Sequence, residues 1–344
     1  MAYLFNQQSQ ARCYLYAHHS FGRFAYSVDT LITSPQISKI HAIIEWKHDQ
    51  WSIRDISSNG TWLNNKKLIK EQPHPLKLND TICFADNKQL AFQVKDLAPP
   101  VDLLLPITEQ DLKADNIEKS AIALQSYHLL PNEETPEIAL ILNQYTGQWR
   151  IEHINEPQLE PRLLQEGDVV NVANHRWQLQ LSHLENHTEM TTQNQLSIED
   201  LTCIFELSLN EEITKLTVKS PQAITDLLSR SHHYLTLSLA RYRVEDAEKG
   251  LPVAEQGWVN TERLLRDLGV DMPHLNIQIH RSRKQFADTL VNVNNADNII
   301  ERQLRQVRFS CPTFKIYKGH QLESALPPLT TAAQPSVLAN NKVE

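Results

Sequence analysis

Apolar and polar positions alternate through much of the first hundred residues. Ala42-Ile43-Ile44, then Trp51 and Ile53, then Ile82 and Phe84, then Leu90, Phe92 and Val94 mostly keep the period of two that marks half-buried strands. Between them stand Ser34-Pro35, His48-Asp49, Ser57-Ser58-Asn59-Gly60 and Leu78-Asn79-Asp80, whose side chains and backbone freedom suit tight turns. Short strands at short intervals predict an all-β sandwich over residues 1–97.

The pattern then repeats. Asp49-Gln50-Trp51-Ser52-Ile53-Arg54-Asp55-Ile56 is echoed by Gly147-Gln148-Trp149-Arg150-Ile151-Glu152-His153-Ile154, and Asp80 to Ala85 by Asp168 to Ala173. With a strand over Ile138 to Leu142, this predicts a second β-sandwich over residues 101–184. Residues 185–198 are polar and aperiodic, which predicts a flexible linker, and the tail from 321 to 344 is expected to be disordered.

Between linker and tail, over residues 199–320, the periodicity changes. Strand-like runs at Cys203 to Leu207 and Ile213 to Val218 precede a helical stretch from Ser231 to Ala247. Asn260 is a good N-cap for a helix over Thr261 to Leu268, and Gly269 stops it. Asp271 caps a second helix, from Met272 to about Leu290, so the segment reads as helix, turn, helix. Ile299 to Arg302 and Arg305 to Phe309, then Thr313 to Tyr317, are expected to form a closing β-hairpin. The fold class is therefore multidomain: two β-sandwiches, then an α+β module.

Composition narrows the function classes. The chain has 344 residues, a net charge of −8 and only 8 glycines, which argues against a Gly-rich phosphate loop and a nucleic-acid-wrapping surface. The cysteines, Cys13, Cys83, Cys203 and Cys311, form no CxxC pair and read as small apolar residues in a reducing cytoplasm. Met1 to Gln10 has neither a basic nor an apolar leader pattern, and no run approaches 18 apolar residues, so a cytoplasmic location away from membranes is expected. The adjacent pairs His18-His19 and His232-His233 lack helical metal-ligand spacing. No acid/base, nucleotide or metal motif appears, so neither catalysis nor a cofactor is expected.

The polar residues between the N-terminal strands carry the chemistry. Phe21-Gly22-Arg23, Ser38-Lys39-Ile40-His41 and Asp55-Ile56-Ser57-Ser58-Asn59-Gly60-Thr61-Trp62-Leu63-Asn64 follow one another in order. A phosphate dianion held on loops needs a fixed cation and neutral donors. Arg23 supplies a guanidinium fork, Ser38 and Ser58 hydroxyls, Lys39 diffuse positive charge, and Asn59 an amide that donates and accepts. Asn64 either does similar work or pins its own loop.

In order and spacing this set resembles the forkhead-associated (FHA) domain. The resemblance implies a β-sandwich that binds phosphothreonine peptides through Arg23, Ser38, Lys39, Ser58, Asn59 and Asn64. It makes Gly22, His41 and Gly60 scaffold residues of the site. It also implies a phosphothreonine-containing partner, such as a Ser/Thr kinase or its substrate. The second sandwich resembles a degenerate copy: Ala139 and Pro136 stand where His41 and Ser38 would, and Asn155-Glu156-Pro157 replaces Ser-Asn-Gly-Thr. Its expected role is structural, or in homodimer formation.

In the α+β module, Leu275-Asn276-Ile277-Gln278-Ile279-His280-Arg281-Ser282-Arg283-Lys284-Gln285-Phe286 resembles the recognition helix of winged-helix output domains in bacterial response regulators. The resemblance implies an inward stripe of Leu275, Ile279, Ser282 and Phe286 and a basic run open to duplex DNA. His280, Arg281, Arg283 and Lys284, with Arg302 and Arg305 on the hairpin, are the DNA-contact candidates. Residues 258 to 318 hold ten basic and six acidic side chains, net +4 in an acidic chain. The overall expectation is a bacterial-type, phosphothreonine-dependent signalling or transcription regulator. Its alternative is an adaptor whose last domain binds protein.

Overall fold

A computed structural model describes residues 1–85, 90–107, 120–144, 146–183 and 196–328. They fall into two compact units. The first comprises Met1–Asn132, Leu140–Glu152 and Pro161–Thr191, and the second Glu133–Ala139, His153–Glu160 and Thr192–Glu344.

In the first unit the alternating runs form the expected strands. One six-stranded sheet orders Ala11–Tyr14, Tyr3–Asn6, Ala91–Asp96, Thr81–Phe84, Thr61–Leu63 and Lys66–Lys67 side by side. A five-stranded sheet orders Thr30–Leu31, His18–Gly22, Ala42–Lys47, Gln50–Asp55 and Pro73–Pro75. Register follows from the inward residues. Ile44 lies opposite Ile53 and Trp46 opposite Trp51, and those two indoles sit 5.4 Å apart. A one-residue slip would turn each of these side chains to the other face. Leu4, Phe21, Ile44, Trp51, Ile53, Ile82, Phe84 and Val94 form the buried core.

The repeat region forms two four-stranded sheets. One holds Ile122–Ala123, Leu103–Pro106, His175–Gln180 and Val169–Val172, the other Tyr127–Leu130, Ile138–Asn143, Gln148–His153 and Arg162–Leu164. Trp149 is buried like Trp51, and its indole N–H donates to Asp102 Oδ2 at 2.7 Å.

The second unit contains helices α1 (His233–Glu248), α2 (Thr261–Leu268) and α3 (Met272–Thr289). Capping sets their ends where local chemistry predicts. Asn260 accepts from the Glu262 N–H, Asp271 accepts from the His274 N–H, and Gly269 takes the left-handed conformation with φ 66°. Val259–Asn260, Gln306–Phe309 and Ile300–Gln303 make a three-stranded sheet.

Three expectations need correction here. Phe314–Lys318 does not join the hairpin; it pairs in parallel with Thr202–Leu207, inside a five-stranded sheet with Thr214–Lys219, Ile224–Ser229 and Gln321–Leu326. Gln321–Leu326, expected to be disordered, is therefore a strand. Ile316, buried at 0% exposure, and Phe314 carry that pairing into the core. The linker's last residues pack too: Leu196 and Ile198 belong to the buried core of this unit. The rest of the linker, 185–195, and the tail from 329 lie outside the described residues. Cys83, Cys203 and Cys311 are buried, and no disulfide joins any of the four cysteines. No helix among the described residues is long and apolar enough to cross a membrane.

Candidate phosphopeptide site

The candidate residues gather where three loops leave the N-terminal sheets. Gly22 ends the strand His18–Gly22, and the chain then runs beside the loop before Ala42. The Arg23 N–H donates to the Ser38 carbonyl at 3.1 Å and the Phe24 N–H to the Lys39 carbonyl at 3.3 Å. Main-chain bonds therefore set Arg23 next to Ser38. This approach requires glycine at 22. A Cβ there would stand 2.1 Å from the Lys39 oxygen and 2.9 Å from its carbonyl carbon.

The third loop is fastened to the second by side chains. The Ser58 N–H donates to Ser38 Oγ at 3.0 Å. Because that hydroxyl oxygen already accepts, its hydrogen remains available to an incoming acceptor. Asn59 Nδ2 donates to the Gln36 carbonyl at 2.6 Å, which leaves its second amide hydrogen and Oδ1 for a peptide main chain. Arg23, Lys39, Ser58 and Asn59 are exposed and Ser38 is half-buried. No partner is present for the Arg23 guanidinium among the described residues.

His41 is fully buried beneath these loops. Its Nδ1 accepts from the Ser38 N–H at 3.1 Å, and its Nε2 lies 2.9 Å from the Gly60 carbonyl, to which it donates. A ring that accepts on one nitrogen and donates from the other is the neutral tautomer with hydrogen on Nε2. Burial disfavours the imidazolium and pushes the pKa below the ordinary histidine value. The sign follows by linkage. The folded state binds a proton less tightly, so the stability this group contributes is complete above the unfolded value of about 6.5 and is lost as pH falls through the lower folded value. His41→Gln should therefore show a flatter loss of stability between about pH 7 and pH 5 than the native protein. Urea unfolding across that range checks it; parallel profiles would refute the assignment.

The loop 57–60 rests on residues to which the sequence reading assigned no role. Buried Asp55 accepts from the Ser57 N–H at 3.1 Å and the Thr61 hydroxyl at 2.9 Å. Ser57 Oγ then accepts from the Gly60 N–H at 2.6 Å. The signal was present: an Asp two residues before a Ser is the sequence form of a side-chain-to-backbone turn. Gly60 itself has φ 99°, and a Cβ on it would meet the Lys67 side chain at 2.4 Å.

Asn64 pins its own loop, one of the two roles expected of it. Its Nδ2 donates to Asp80 Oδ1 at 2.7 Å and its Oδ1 accepts from the Thr81 N–H at 2.9 Å. One amide hydrogen and one carbonyl lone pair thus go to its own turn, which has a positive φ of 51°. His19, His232 and His233 are packed into the fold, whereas His18 is exposed. His19 is buried against Thr30 Oγ1 at 2.7 Å, and His232 and His233 share Gln285 Oε1 at 2.7 and 2.8 Å. Among the described residues no group of three potential metal ligands occurs.

On α3 the stripe Leu275, Ile279, Ser282 and Phe286 is buried as expected, but Asn276, His280 and Lys284 are buried too. Lys284 Nζ contacts Asp288 at 2.6 Å and Glu133 at 3.6 Å. Arg281, in the same compact unit as Glu133, donates to that residue's carbonyl at 2.9 and 2.7 Å. Arg283 Nε donates to the Ile300 carbonyl at 2.9 Å, and Arg302 Nη2 to Asn276 Oδ1 at 2.7 Å. Arg305 alone of the candidates is exposed. The expected solvent-facing basic run is therefore corrected: His280 and Lys284 point into the fold, and three arginines brace backbone or side-chain oxygens.

A sandwich edge that presents an exposed guanidinium beside a primed hydroxyl, over a buried neutral histidine, has the chemistry to hold an anion. Residues 19–85 match the family model of the FHA domain, and the N-terminal region of this chain is such a domain. A 75-residue stretch is 36% identical to the ovarian-specific serine/threonine-protein kinase Lok of Drosophila melanogaster. That stretch is 21% of this chain and 16% of that protein, so the chain spans only a small part of the relative's length. Among solved structures, Mycobacterium tuberculosis EmbR in complex with a low affinity phosphopeptide is 26% identical, over 28% of this chain and 25% of that one, with a TM-score of 0.26. The N-terminal FHA domain of S. cerevisiae Rad53p in complex with a phosphothreonine peptide is 22% identical, over 27% and 89%, with a TM-score of 0.25.

Proposed function

We infer that this protein docks phosphothreonine segments of partner proteins through its N-terminal FHA domain and acts as a phosphorylation-dependent adaptor. The observation that carries the reading is the pairing of Arg23 with Ser38. The first is an exposed guanidinium with no partner among the described residues, and the second a hydroxyl whose oxygen already accepts from the Ser58 N–H. A dianion seated there gains one charge-assisted fork and one short hydroxyl bond. The Rad53p FHA domain was solved with a phosphothreonine peptide, and a segment phosphorylated by a Ser/Thr kinase is the partner class the Arg23 and Ser38 chemistry fits.

For the second unit the adaptor reading is preferred to duplex-DNA binding. Phosphate-backbone contact needs cations at the solvent face of a recognition helix. On α3, His280 and Lys284 are buried and Arg281 is taken up by the Glu133 carbonyl.

The test is a titration of the full chain with a fluorescent phosphothreonine peptide library, before and after phosphatase treatment. We expect saturable binding that weakens at least about tenfold on dephosphorylation. Equal binding of the treated library would overturn the reading. Retention of duplex DNA with a steep salt dependence would restore the DNA reading for the second unit.

A further inference from the structure

The second sandwich holds a cavity of about 330 Å³ whose walls include Leu124, Leu142, Leu181 and Trp149, with Asp102 and Ser126 beside them. It opens at one end of the sandwich, between its two four-stranded sheets. Asp102, Leu124 and Leu181 adjoin strands of one sheet, and Leu142 and Trp149 belong to the other. All of these residues lie in the first compact unit.

Asp102 is the only carboxylate in this lining, which contains no Lys or Arg. It is half-buried. Its Oδ2 accepts from the Trp149 indole N–H and its Oδ1 from the Ser182 N–H, both at 2.7 Å. Each oxygen keeps a further lone pair. Among the described residues no cationic side chain pairs with it. His183, in the same lining, is turned to Glu166, 3.8 Å from that carboxylate.

The first sandwich shows that the indole does not require this charge. There the Trp51 N–H donates to the neutral Ala98 carbonyl at 3.0 Å. A carboxylate set among leucines without a cation is costly, and a cation brought to it recovers part of that cost. A bare divalent metal ion does not fit, because it takes about six oxygen ligands and leucine walls supply none. An ammonium group does fit, since its three N–H donors match the open lone pairs.

We propose that this cavity binds a small organic cation, a primary alkylammonium whose N–H groups bond to Asp102 and whose carbon chain covers Leu124, Leu142 and Leu181. The apolar walls favour the chain by removing it from water. Ligand cavities run from about 300 to 1,000 Å³, and this one stands at the small end, so the ligand has few carbons. The site is separate from the Arg23 phosphopeptide site and does not depend on it.

Calorimetric titration of the full chain with hexylammonium, hexanol and hexanoate tests the proposal. Hexylammonium should saturate a single site and bind about tenfold more tightly than hexanol, the margin of a charged over a neutral hydrogen-bond donor. Hexanoate should bind least. In Asp102→Asn the preference for the ammonium over the alcohol should disappear. That change also disturbs the Trp149 and Ser182 bonds, so Ser126→Trp serves as a second variant. It fills the cavity, keeps Asp102, and should abolish hexylammonium binding while circular dichroism stays native. Absence of saturable hexylammonium binding, equal binding of hexylammonium and hexanol, or unchanged binding by a folded Ser126→Trp protein overturns the proposal.

Discussion

Arg23→Ala should abolish most phosphopeptide affinity while leaving the fold unchanged. Removing a guanidinium from a dianion leaves charge under-neutralised in the complex, at a cost of about 2–5 kcal/mol, or roughly thirtyfold to a few thousandfold in Kd. The exposure of Arg23 puts the expected value toward the lower end, because water screens part of the pair. Stability should not change. The bond from residue 23 to Ser38 is made by the backbone N–H, which alanine keeps. Ser38→Ala, which removes one hydroxyl bond to a charged group, should cost about 1–2 kcal/mol in the same titration. Calorimetric titration beside a thermal melt separates the effects. Arg23→Ala binding as tightly as the native protein would mean that the phosphate sits elsewhere.

The legible part of this molecule is the part whose chemistry is local. Phosphate recognition restricts residue types to a cation and small donors, so Arg23, Ser38, Ser58 and Asn59 stood out in order, and the folded loops bring them together. Helix ends were legible for the same reason: Asn260, Gly269 and Asp271 act on atoms within a few residues. The bracing under the site was not recognised, because Asp55, Ser57 and Thr61 are ordinary turn residues until Asp55 is seen to be buried. Asn64 could be read two ways, and its loop-pinning role became visible only with the position of Asp80, sixteen residues on.

Long-range pairing escaped altogether. Nothing local to Phe314–Lys318 distinguishes a hairpin strand from one that lies parallel to Thr202–Leu207. The polarity of His280 and Lys284 likewise suggested a wet face. On α3 they follow Asn276 at steps of four, so the three residues form a second buried ridge beside the Leu275 stripe. A polar ridge buried by partners distant in sequence has no signature in a helical period.

Gly22→Ala should do what Arg23→Ala does not, disabling binding and stability together through a single methyl group. The added carbon would stand 2.1 Å from the Lys39 carbonyl oxygen and 3.0 Å from Ile40 Cα, both backbone atoms that no side-chain rotation can move aside. The strand His18–Gly22 is held by its pairing with Ala42–Lys47, so the loop over 38–41 must retreat. That movement strains the Arg23 and Phe24 N–H bonds to Ser38 and Lys39 and pulls Ser38 from His41 Nδ1, which lies 3.1 Å from its N–H. Overpacking costs about 1–3 kcal/mol and a lost hydrogen bond about 1 kcal/mol more, so with one of these three bonds lost a total of about 2–4 kcal/mol is expected. Affinity should fall by at least about tenfold, because the hydroxyl and the guanidinium no longer converge on one phosphate. Urea unfolding and peptide titration on the same preparation measure both effects. A Gly22→Ala protein with native stability and native affinity would show that the two loops do not approach as closely as the 2.1 Å contact requires.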